Sequence, residues 1–225
     1  SDKYVIQYGI TYYEINSSGD SISSGTLTDT LGNLGPNCFA SDGTHFYAGG
    51  QGSSGPIVTK LDANYNVVWA TVLKTARFAE GVEALLIDGT DLYASGSLES
   101  SKPFIAKLDL SGNVAWMTEV PQSTFSNLTD LIKLKDGQFL ASGNLDDYPF
   151  AVKFDSAGDT TWTYSETIFI SFSNSACAEM PDSSLLLVCR NTLVTLDNGG
   201  SAIDTITSLN DYSDVLLKED TVYLF

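Results

Sequence analysis

One pattern of eighteen residues occurs three times in this chain at almost constant spacing. The copies begin at Pro56, Pro103 and Pro149, so successive copies are 47 and 46 residues apart. Each copy carries a lysine, an aspartate and a tryptophan at the same three places. These residues are Lys60, Asp62 and Trp69, then Lys107, Asp109 and Trp116, then Lys153, Asp155 and Trp162. Three landmarks that share the same two spacings indicate an internal structural repeat.

Two weaker copies flank these three. Asn16 occupies the aspartate position in the first of them, and Asp197 occupies it in the last. Both copies lack the tryptophan, and Ser23 and Asp204 stand in its place. Terminal repeats that depart from the common pattern are expected of a stacked array, because their outer faces have different neighbours.

The segments between the copies also repeat. THFYAGG, TDLYASG and GQFLASG are versions of one strand, and another strand precedes each of them. Each unit of about 45 residues therefore contains four short strands, a combination typical of a β-propeller blade. The sequence predicts an all-β fold of four-stranded antiparallel blades, with about five blades in a single domain over residues 1–225.

The repeat also predicts where the units begin and end. They span residues 1–34, 35–81, 82–127, 128–172, 173–211 and 212–225, of which the last is partial. In a closed five-bladed ring, residues 213–220 would pair with residues 3–9 and leave TVYLF, residues 221–225, as a surplus strand. Three interpretations stay open: a fragment of a larger propeller, a closed ring with an added edge strand, or a strand that pairs with another subunit.

The segment after each repeated lysine has the composition of a tight hairpin turn. Gly112 and Gly158 lie three residues after Asp109 and Asp155, where a bulged turn needs a positive φ. The aspartate side chain is expected to accept the turn amides. Tyr65 stands at the glycine position of one copy, so we expect the left-handed residue to shift there to a neighbouring asparagine. A calcium loop is the alternative, but the acidic residues are sparser than such a loop requires.

The tryptophans and lysines of the repeat are interpreted as packing residues. Trp69, Trp116 and Trp162 fall on the fourth predicted strand, where each can bury a large area between neighbouring sheets. The alternative is a sugar-stacking platform. The lysines are expected to cover apolar surface with their stems while their charged heads reach water.

Three cysteines are present, and two of them flank the turn PDSS. If the flanking strands pair about residue 183, Cys177 and Cys189 lie opposite each other and form a candidate disulfide. The alternative is two buried thiols. Asn16 and Asn127 begin two tripeptides that match the glycosylation sequence Asn-X-Ser/Thr, a pattern that arises often in a chain rich in serine and threonine.

The charge of the chain restricts its partners. There are 28 acidic residues and 11 lysines and arginines, which gives a net charge of −17. Phosphate backbones and anionic membrane surfaces would be repelled, so neither nucleic acid nor membrane binding is expected. No apolar run is long enough to cross a membrane as a helix. His45 is the only histidine, so a histidine-based metal site or a Ser-His-Asp triad cannot be assembled.

The pattern F-I-A-K-L-D-x-x-G-N-V-x-W, followed by D-G-x-x-x-A-S-G, resembles the β-propeller repeats of secreted bacterial and archaeal proteins. It is also similar to pyrroloquinoline-quinone-type propeller repeats. The resemblance implies an extracellular or cell-surface propeller, often one module of a larger protein. The quinoproteins with this blade pattern have adjacent cysteines and a calcium ion at the cofactor, and this chain has no Cys-Cys pair. No cofactor is therefore expected.

These features favour a non-enzymatic, secreted or cell-surface propeller that acts as a structural or interaction module. Self-association through the surplus strand, residues 221–225, is a specific form of this hypothesis. A carbohydrate-binding lectin is the second hypothesis, because tyrosine and tryptophan are abundant. An enzyme, either quinoprotein-like or a glycosidase with paired carboxylates, is the third.

Overall fold

The structure is a computed structural model, and every regular element in the part of the chain that it describes is a β-strand. The described residues are 3–8, 11–16, 18, 20–26, 35–75, 81–98, 102–120, 126–146, 148–165, 175–207, 212, 214–218 and 221–224. The predicted all-β class is confirmed, and the strands form six antiparallel sheets within these ranges.

We number the sheets as blades 1 to 6 in chain order. Blade 1 has three strands: β1 (Lys3–Tyr8), β2 (Thr11–Asn16) and β3 (Ser21–Thr26). Blade 2 contains β4 (Gly35–Ser41), β5 (Phe46–Gly52), β6 (Gly55–Leu61) and β7 (Val67–Val72). Blade 3 contains β8 (Gly81–Asp88), β9 (Asp91–Leu98), β10 (Lys102–Asp109) and β11 (Val114–Glu119). Blade 4 contains β12 (Ser126–Lys133), β13 (Phe139–Leu145), β14 (Tyr148–Phe154) and β15 (Thr160–Ser165). Blade 5 contains β16 (Ser175–Glu179), β17 (Leu185–Cys189), β18 (Thr192–Leu196) and β19 (Ala202–Ile206), and blade 6 contains β20 (Val215–Lys218) and β21 (Thr221–Leu224).

The blades are meanders in which strands pair in sequence order. In blades 3 to 5, the first strand packs on the first two strands of the preceding blade: β8 on β4 and β5, β12 on β8 and β9, and β16 on β12 and β13. We therefore call the first strands of blades 2 to 6, which are β4, β8, β12, β16 and β20, the inner strands. The fourth strand of each complete blade is the outer edge.

The hydrophobic core lies mainly between blades. Tyr47 and Val58 of blade 2 pack with Phe104 and other apolar residues of blade 3. Equivalent clusters join blade 3 to blade 4, where Phe150 is fully buried, and blade 4 to blade 5, where Leu187 is fully buried. Both faces of a central blade are covered in this way, so its strands carry apolar residues on both sides.

Among the described strands, blade 6 does not pair with blade 1 as the closed-ring interpretation required. β20 pairs with β21, with Val215 opposite Leu224 and Lys218 opposite Thr221, whereas β1 pairs with β2. The inner-strand pairing between residues 213–220 and residues 3–9 is thus replaced by a local hairpin. A hairpin with two residues between its strands closes a far shorter loop than a pairing between segments about 200 residues apart.

Candidate interaction site

The repeated aspartate caps its own turn. In blade 3, Oδ1 of Asp109 accepts the backbone N–H groups of Ser111 at 2.8 Å and Asn113 at 3.0 Å. Asp62, Asp155 and Asp197 accept turn amides in the same way, as does Asn16 in blade 1. The side-chain amide of Asn113 and then the backbone amides lower the pKa of Asp109. The aspartate side chains therefore stabilise their own turns by accepting backbone hydrogen bonds.

The glycine three residues later has the left-handed conformation that the turn requires. Gly112, Gly158 and Gly200 have φ values of +89°, +90° and +87°. In blade 2 the left-handed residue is Tyr65 itself, with φ of +63°, rather than a neighbouring asparagine. Its ring stacks on Phe46 with a centroid distance of 5.0 Å.

Each repeated tryptophan contacts the turn of the next blade. Nε1 of Trp69 donates to the backbone oxygen of Leu110 at 3.3 Å, and Trp116 and Trp162 make the equivalent bonds to the next turns. The indole lies over the turn glycine, since a β-carbon on Gly112 would stand 2.8 Å from Trp69. The tryptophan and the glycine are thus two halves of one contact between blades. With Nε1 engaged and one ring face covered, these indoles are poorly placed to stack on a sugar.

The repeated lysines have three different environments. Lys60 donates to the backbone oxygen of Leu110 at 3.2 Å, and Lys107 forms an ion pair with Asp91 at 2.8 Å. The side chain of Lys153 is only 4% exposed. The expectation that these lysines extend their heads into water is therefore wrong for Lys153, which is held inside a polar contact between blades 4 and 5.

The two candidate disulfide cysteines do not face each other. Cys177 lies opposite Leu187, and Cys189 lies opposite Ser175, because the hairpin pairs in a register two residues away from the predicted one. Both thiols are buried in the core between blades 4 and 5, and all three cysteines are free. The predicted disulfide is therefore corrected to two buried thiols, whose pKa values are raised mainly by burial.

The asparagines of the two glycosylation tripeptides lie at the end of β2 and on β12. Asn16 donates its side-chain amide to Asp20 at 3.2 Å while its oxygen caps the turn. Asn127 lies on the inner strand β12, and its side-chain oxygen is buried. The hydroxyl of Thr129, the third residue of that tripeptide, donates to the backbone oxygen of Ser175 at 2.8 Å. Glycosylation at either position stays a prediction.

The sequence reasoning missed a row of bulged residues on the inner strands. The ladders of the inner strands β4, β8 and β12 shift at Asn37, Glu83 and Thr129, which are spaced 46 residues apart. Asn37 donates its amide to Glu83 at 2.8 Å, and so links the bulges of blades 2 and 3. The constant spacing was the signal available in the sequence. The facing Gly143 has no room for a β-carbon, which would stand 1.7 Å from the carbonyl oxygen of Asn127.

One half-buried carboxylate also belongs to these inner strands. Asp130 accepts the backbone N–H of Cys177, on the inner strand of the next blade, at 2.8 Å, and that of Leu131 at 2.8 Å. Burial raises the pKa of Asp130 in spite of these bonds. By accepting the amide of Cys177, Asp130 links the inner strands of blades 4 and 5.

The blade 6 hairpin presents the clearest surface for another molecule. Leu216 on β20 and Tyr223 on β21 face each other across the hairpin and are 52% and 46% exposed. Within the described residues, the ladder of β21 runs only along β20, so its other edge carries backbone groups that no described strand pairs with. Ile203 and Ile206 on the outer strand β19 are also exposed, at 61% and 47%.

No family model matches this chain, and no curated protein matches it by sequence. Solved structures do match its fold. The chain aligns over 100% of its length with BamB from Moraxella catarrhalis, at a TM-score of 0.66 and 13% identity, and spans 66% of that protein. It aligns over 96% of its length with a catalytically inactive virginiamycin B lyase from Staphylococcus aureus with quinupristin, at a TM-score of 0.67 and 10% identity, and spans 77% of it. It aligns over 99% of its length with BBS1N in complex with ARL6DN, at a TM-score of 0.67 and 10% identity, and spans 70% of it.

These matching structures are β-propellers. Within the described residues, this chain has four complete four-stranded blades and two partial ones of three and two strands. The chain is therefore a β-propeller of about five blades, as the repeat predicted. Its similarity to these structures defines the fold alone, because proteins with this fold include both enzymes and interaction modules. Among the residues that the structure describes, no helix is long and apolar enough to cross a membrane.

Proposed function

We propose that this propeller is a non-enzymatic structural and interaction module, exported or displayed at the cell surface, that assembles through strand addition at β21. The observation that carries the proposal is the blade 6 hairpin, where an open strand edge lies beside an exposed apolar pair, Leu216 and Tyr223. Export rests on the resemblance of the repeat to secreted propellers.

Strand addition fits the chemistry of this edge. The outer edge of β21 offers backbone N–H and C=O groups to an extended segment, and main-chain hydrogen bonds then supply affinity. Leu216 and Tyr223 supply an apolar face against which alternate side chains of an added strand can pack. Natural proteins usually protect edge strands by charge or by covering loops, so an exposed edge beside apolar side chains favours strand addition.

The occupant that we propose is a second copy of the chain. Blade 1 has an open edge as well, because β1 pairs only with β2 among the described strands. The edges of β1 and β21 are different surfaces, so their pairing joins copies head to tail and leaves each copy able to add another. The protein complex of BBS1N with ARL6DN supports a role in protein interaction for propellers of this general fold.

Charge makes this assembly sensitive to salt. Each copy carries a net charge of −17, so the copies repel each other at low ionic strength. Added salt screens this repulsion and is expected to strengthen the association. A partner held by ion pairs to the acidic surface would show the opposite salt dependence.

The test is light scattering of the 225-residue chain over a range of concentrations and salt. We expect the mean mass to rise above the 24.1 kDa of the monomer as both increase. Deletion of residues 221–225 and the substitution Tyr223→Ser should each reduce this growth. Ile203→Ser is the matched control, because it removes an apolar residue that is even more exposed than Tyr223 from the edge strand of blade 5.

Two results would contradict the proposal. The first is a monomer at all concentrations and salt levels. The second is growth that Ile203→Ser abolishes and the deletion of residues 221–225 leaves intact, which would move the contact to β19. Glycan binding by a chain that stays monomeric would support the lectin hypothesis instead.

A further inference from the structure

We propose that Lys153 and Asn198 form an intramolecular isopeptide bond that joins blade 4 to blade 5, with Asp136 as the proton-transferring residue. Nζ of Lys153 hydrogen-bonds Oδ1 of Asn198, which places the amine beside the side-chain carbonyl carbon. The same Nζ lies 2.7 Å from Oδ2 of Asp136. This carboxylate oxygen also accepts a hydrogen bond from Nδ2 of Asn198 at 3.4 Å. One acid thus contacts both the nucleophile and the leaving group.

The surroundings hold the lysine in place. Lys153 lies on β14, where it pairs with Leu140 of β13 on one side and Trp162 of β15 on the other. Its side chain is 4% exposed, and Leu140 is fully buried. Packing on both sides restricts the rotamers of a side chain that would otherwise be mobile, so the amine stays near its target.

The turn of blade 5 holds the amide in place as well. The backbone oxygen of Asn198 accepts hydrogen bonds from Nε1 of Trp162 at 3.1 Å and from Nζ of Lys153 at 3.4 Å. The reacting groups therefore belong to two blades that are already joined around the same residue. Holding two groups in contact removes most of the entropic barrier to their reaction.

The repeat provides internal comparisons for this site. Asn198 follows the turn aspartate of blade 5, and the corresponding residues are Leu110 in blade 3 and Ser156 in blade 4. Lys60 reaches the backbone oxygen of Leu110 at 3.2 Å, so the lysine of blade 2 approaches the same turn position. Only the blade 5 turn places a carboxamide beside this lysine, since leucine and serine have none.

The reaction exchanges one amide for another and needs no oxidant. Asp136 takes one proton from the Lys153 ammonium group, and the freed lone pair attacks Cγ of Asn198 to form the new C–N bond. Asp136 then gives that proton to Nδ2, the Cγ–Nδ2 bond breaks, and ammonia leaves. Nζ releases a second proton to water, and Asp136 returns to its carboxylate form.

Intact-mass spectrometry and a tryptic map of the purified chain test the proposal. We expect the mass to fall below the sequence value by one ammonia. Trypsin should fail to cleave after Lys153, and the peptide 136–190 should be recovered joined to the peptide 191–218, which contains Asn198. Lys153→Arg, Asn198→Ala and Asp136→Asn should each restore the full mass, with circular dichroism showing that each variant is folded. Lys60→Arg is the matched control and should keep the mass loss.

A competing reaction also releases ammonia, because Asn198 is followed by Gly199 and can cyclise on its own backbone. That product would appear in the peptide 191–218 alone, with normal cleavage after Lys153. Gly199→Ala should suppress the cyclisation and leave the isopeptide bond unchanged. The proposal is overturned if the folded wild-type chain keeps its full mass after prolonged incubation, or if the loss is confined to the peptide 191–218.

Discussion

The indole of Trp162 lies directly against the α-carbon of Gly200, so that a β-carbon at position 200 would stand 2.7 Å from the ring. Trp162 belongs to the outer strand of blade 4, whereas Gly200 belongs to a turn in blade 5. The glycine is therefore required twice, once for its φ of +87° and once for the space that the neighbouring blade occupies. Substitutions of turn glycines can therefore distinguish the cost of a strained backbone conformation from the cost of a steric clash.

The first prediction is that Gly200→Ala destabilises the protein by more than a glycine turn alone explains. Gly43 has nearly the same φ, +85°, but a β-carbon there would meet nothing within 4 Å. Gly43→Ala should lower the free energy of unfolding by about 1 kcal/mol. Gly200→Ala should lower it by a further ~1–3 kcal/mol, because the new methyl group overlaps Trp162. Urea unfolding of both variants measures the difference, and equal losses would show that the indole moves aside freely.

The second prediction concerns the blade that lacks the tryptophan. Blade 1 has Ser23 at the tryptophan position, and the following blade has Tyr65 at the glycine position. At the contacts from blades 2, 3 and 4 to the next blade, a tryptophan packs on a turn glycine. At the corresponding positions of blades 1 and 2, the sizes are reversed, with a serine in the first blade and a tyrosine in the second. Ser23→Trp should therefore be more destabilising with Tyr65 present than in a Tyr65→Gly background. A double-mutant cycle should give a coupling of about 1 kcal/mol.

The control for this cycle combines Ser23→Trp with Gly112→Ala, which lies in the turn of blade 3. These two changes affect different contacts between blades, so their effects on the free energy of unfolding should add to within a few tenths of a kcal/mol, as is usual for distant sites. If the Ser23–Tyr65 cycle is additive as well, positions 23 and 65 are not coupled, and the prediction is wrong.

The repeat allowed the sequence to predict the strands and the turns, but not the contacts between blades. Trp116 and Gly158 were each assigned correctly to a strand and a turn, because local patterns determine those states. Their contact with each other depends on how adjacent sheets stack, which no local pattern encodes. Asn37 and Glu83 were missed for a related reason: a bulge interrupts the alternation from which an inner-facing residue is inferred.

Register was the second limit of the sequence. The prediction that Cys177 faces Cys189 centred the hairpin on residue 183. Met180 and Ser184 form the turn about residue 182 instead, and this difference of one residue moves every cross-strand partner by two. A small change of register alters every cross-strand pair, and a turn with Ser183 in the left-handed region was not evident from the letters PDSS.

The third prediction is a loss of stability in acid that depends on Asp42. Its Oδ1 accepts the N–H groups of Thr44 and His45, and its Oδ2 accepts the hydroxyl of Tyr47. Although partial desolvation opposes ionisation, these bonds and His45 lower the pKa of Asp42 from 3.8 to about 2. Because the folded pKa lies below the unfolded one, the stabilisation is complete above the unfolded value and is lost as the pH falls from about 4 to about 2.

Asp42→Asn tests this assignment, because an asparagine oxygen can still accept both turn amides. The variant should be less stable than the wild type near neutral pH, and the gap should narrow as the pH falls through this window. Thermal unfolding at a series of pH values measures the gap. A gap that stays constant with pH would show that Asp42 stabilises the turn through geometry rather than through its charge.

The fourth prediction is that Cys177 and Cys189 are unreactive in the folded protein. Cys177 and Cys189 are 4% and 0% exposed, and burial, which is the largest cause, raises the pKa of both thiols, to about 12 for Cys189. The thiolate is the reactive form, so alkylation at mildly alkaline pH should be slow until the chain unfolds. The urea midpoint should also be the same with and without dithiothreitol. A lower urea midpoint with dithiothreitol would instead indicate that the Cys177–Cys189 disulfide forms. Fast labelling of either cysteine in the folded chain would mean that the core between blades 4 and 5 opens locally.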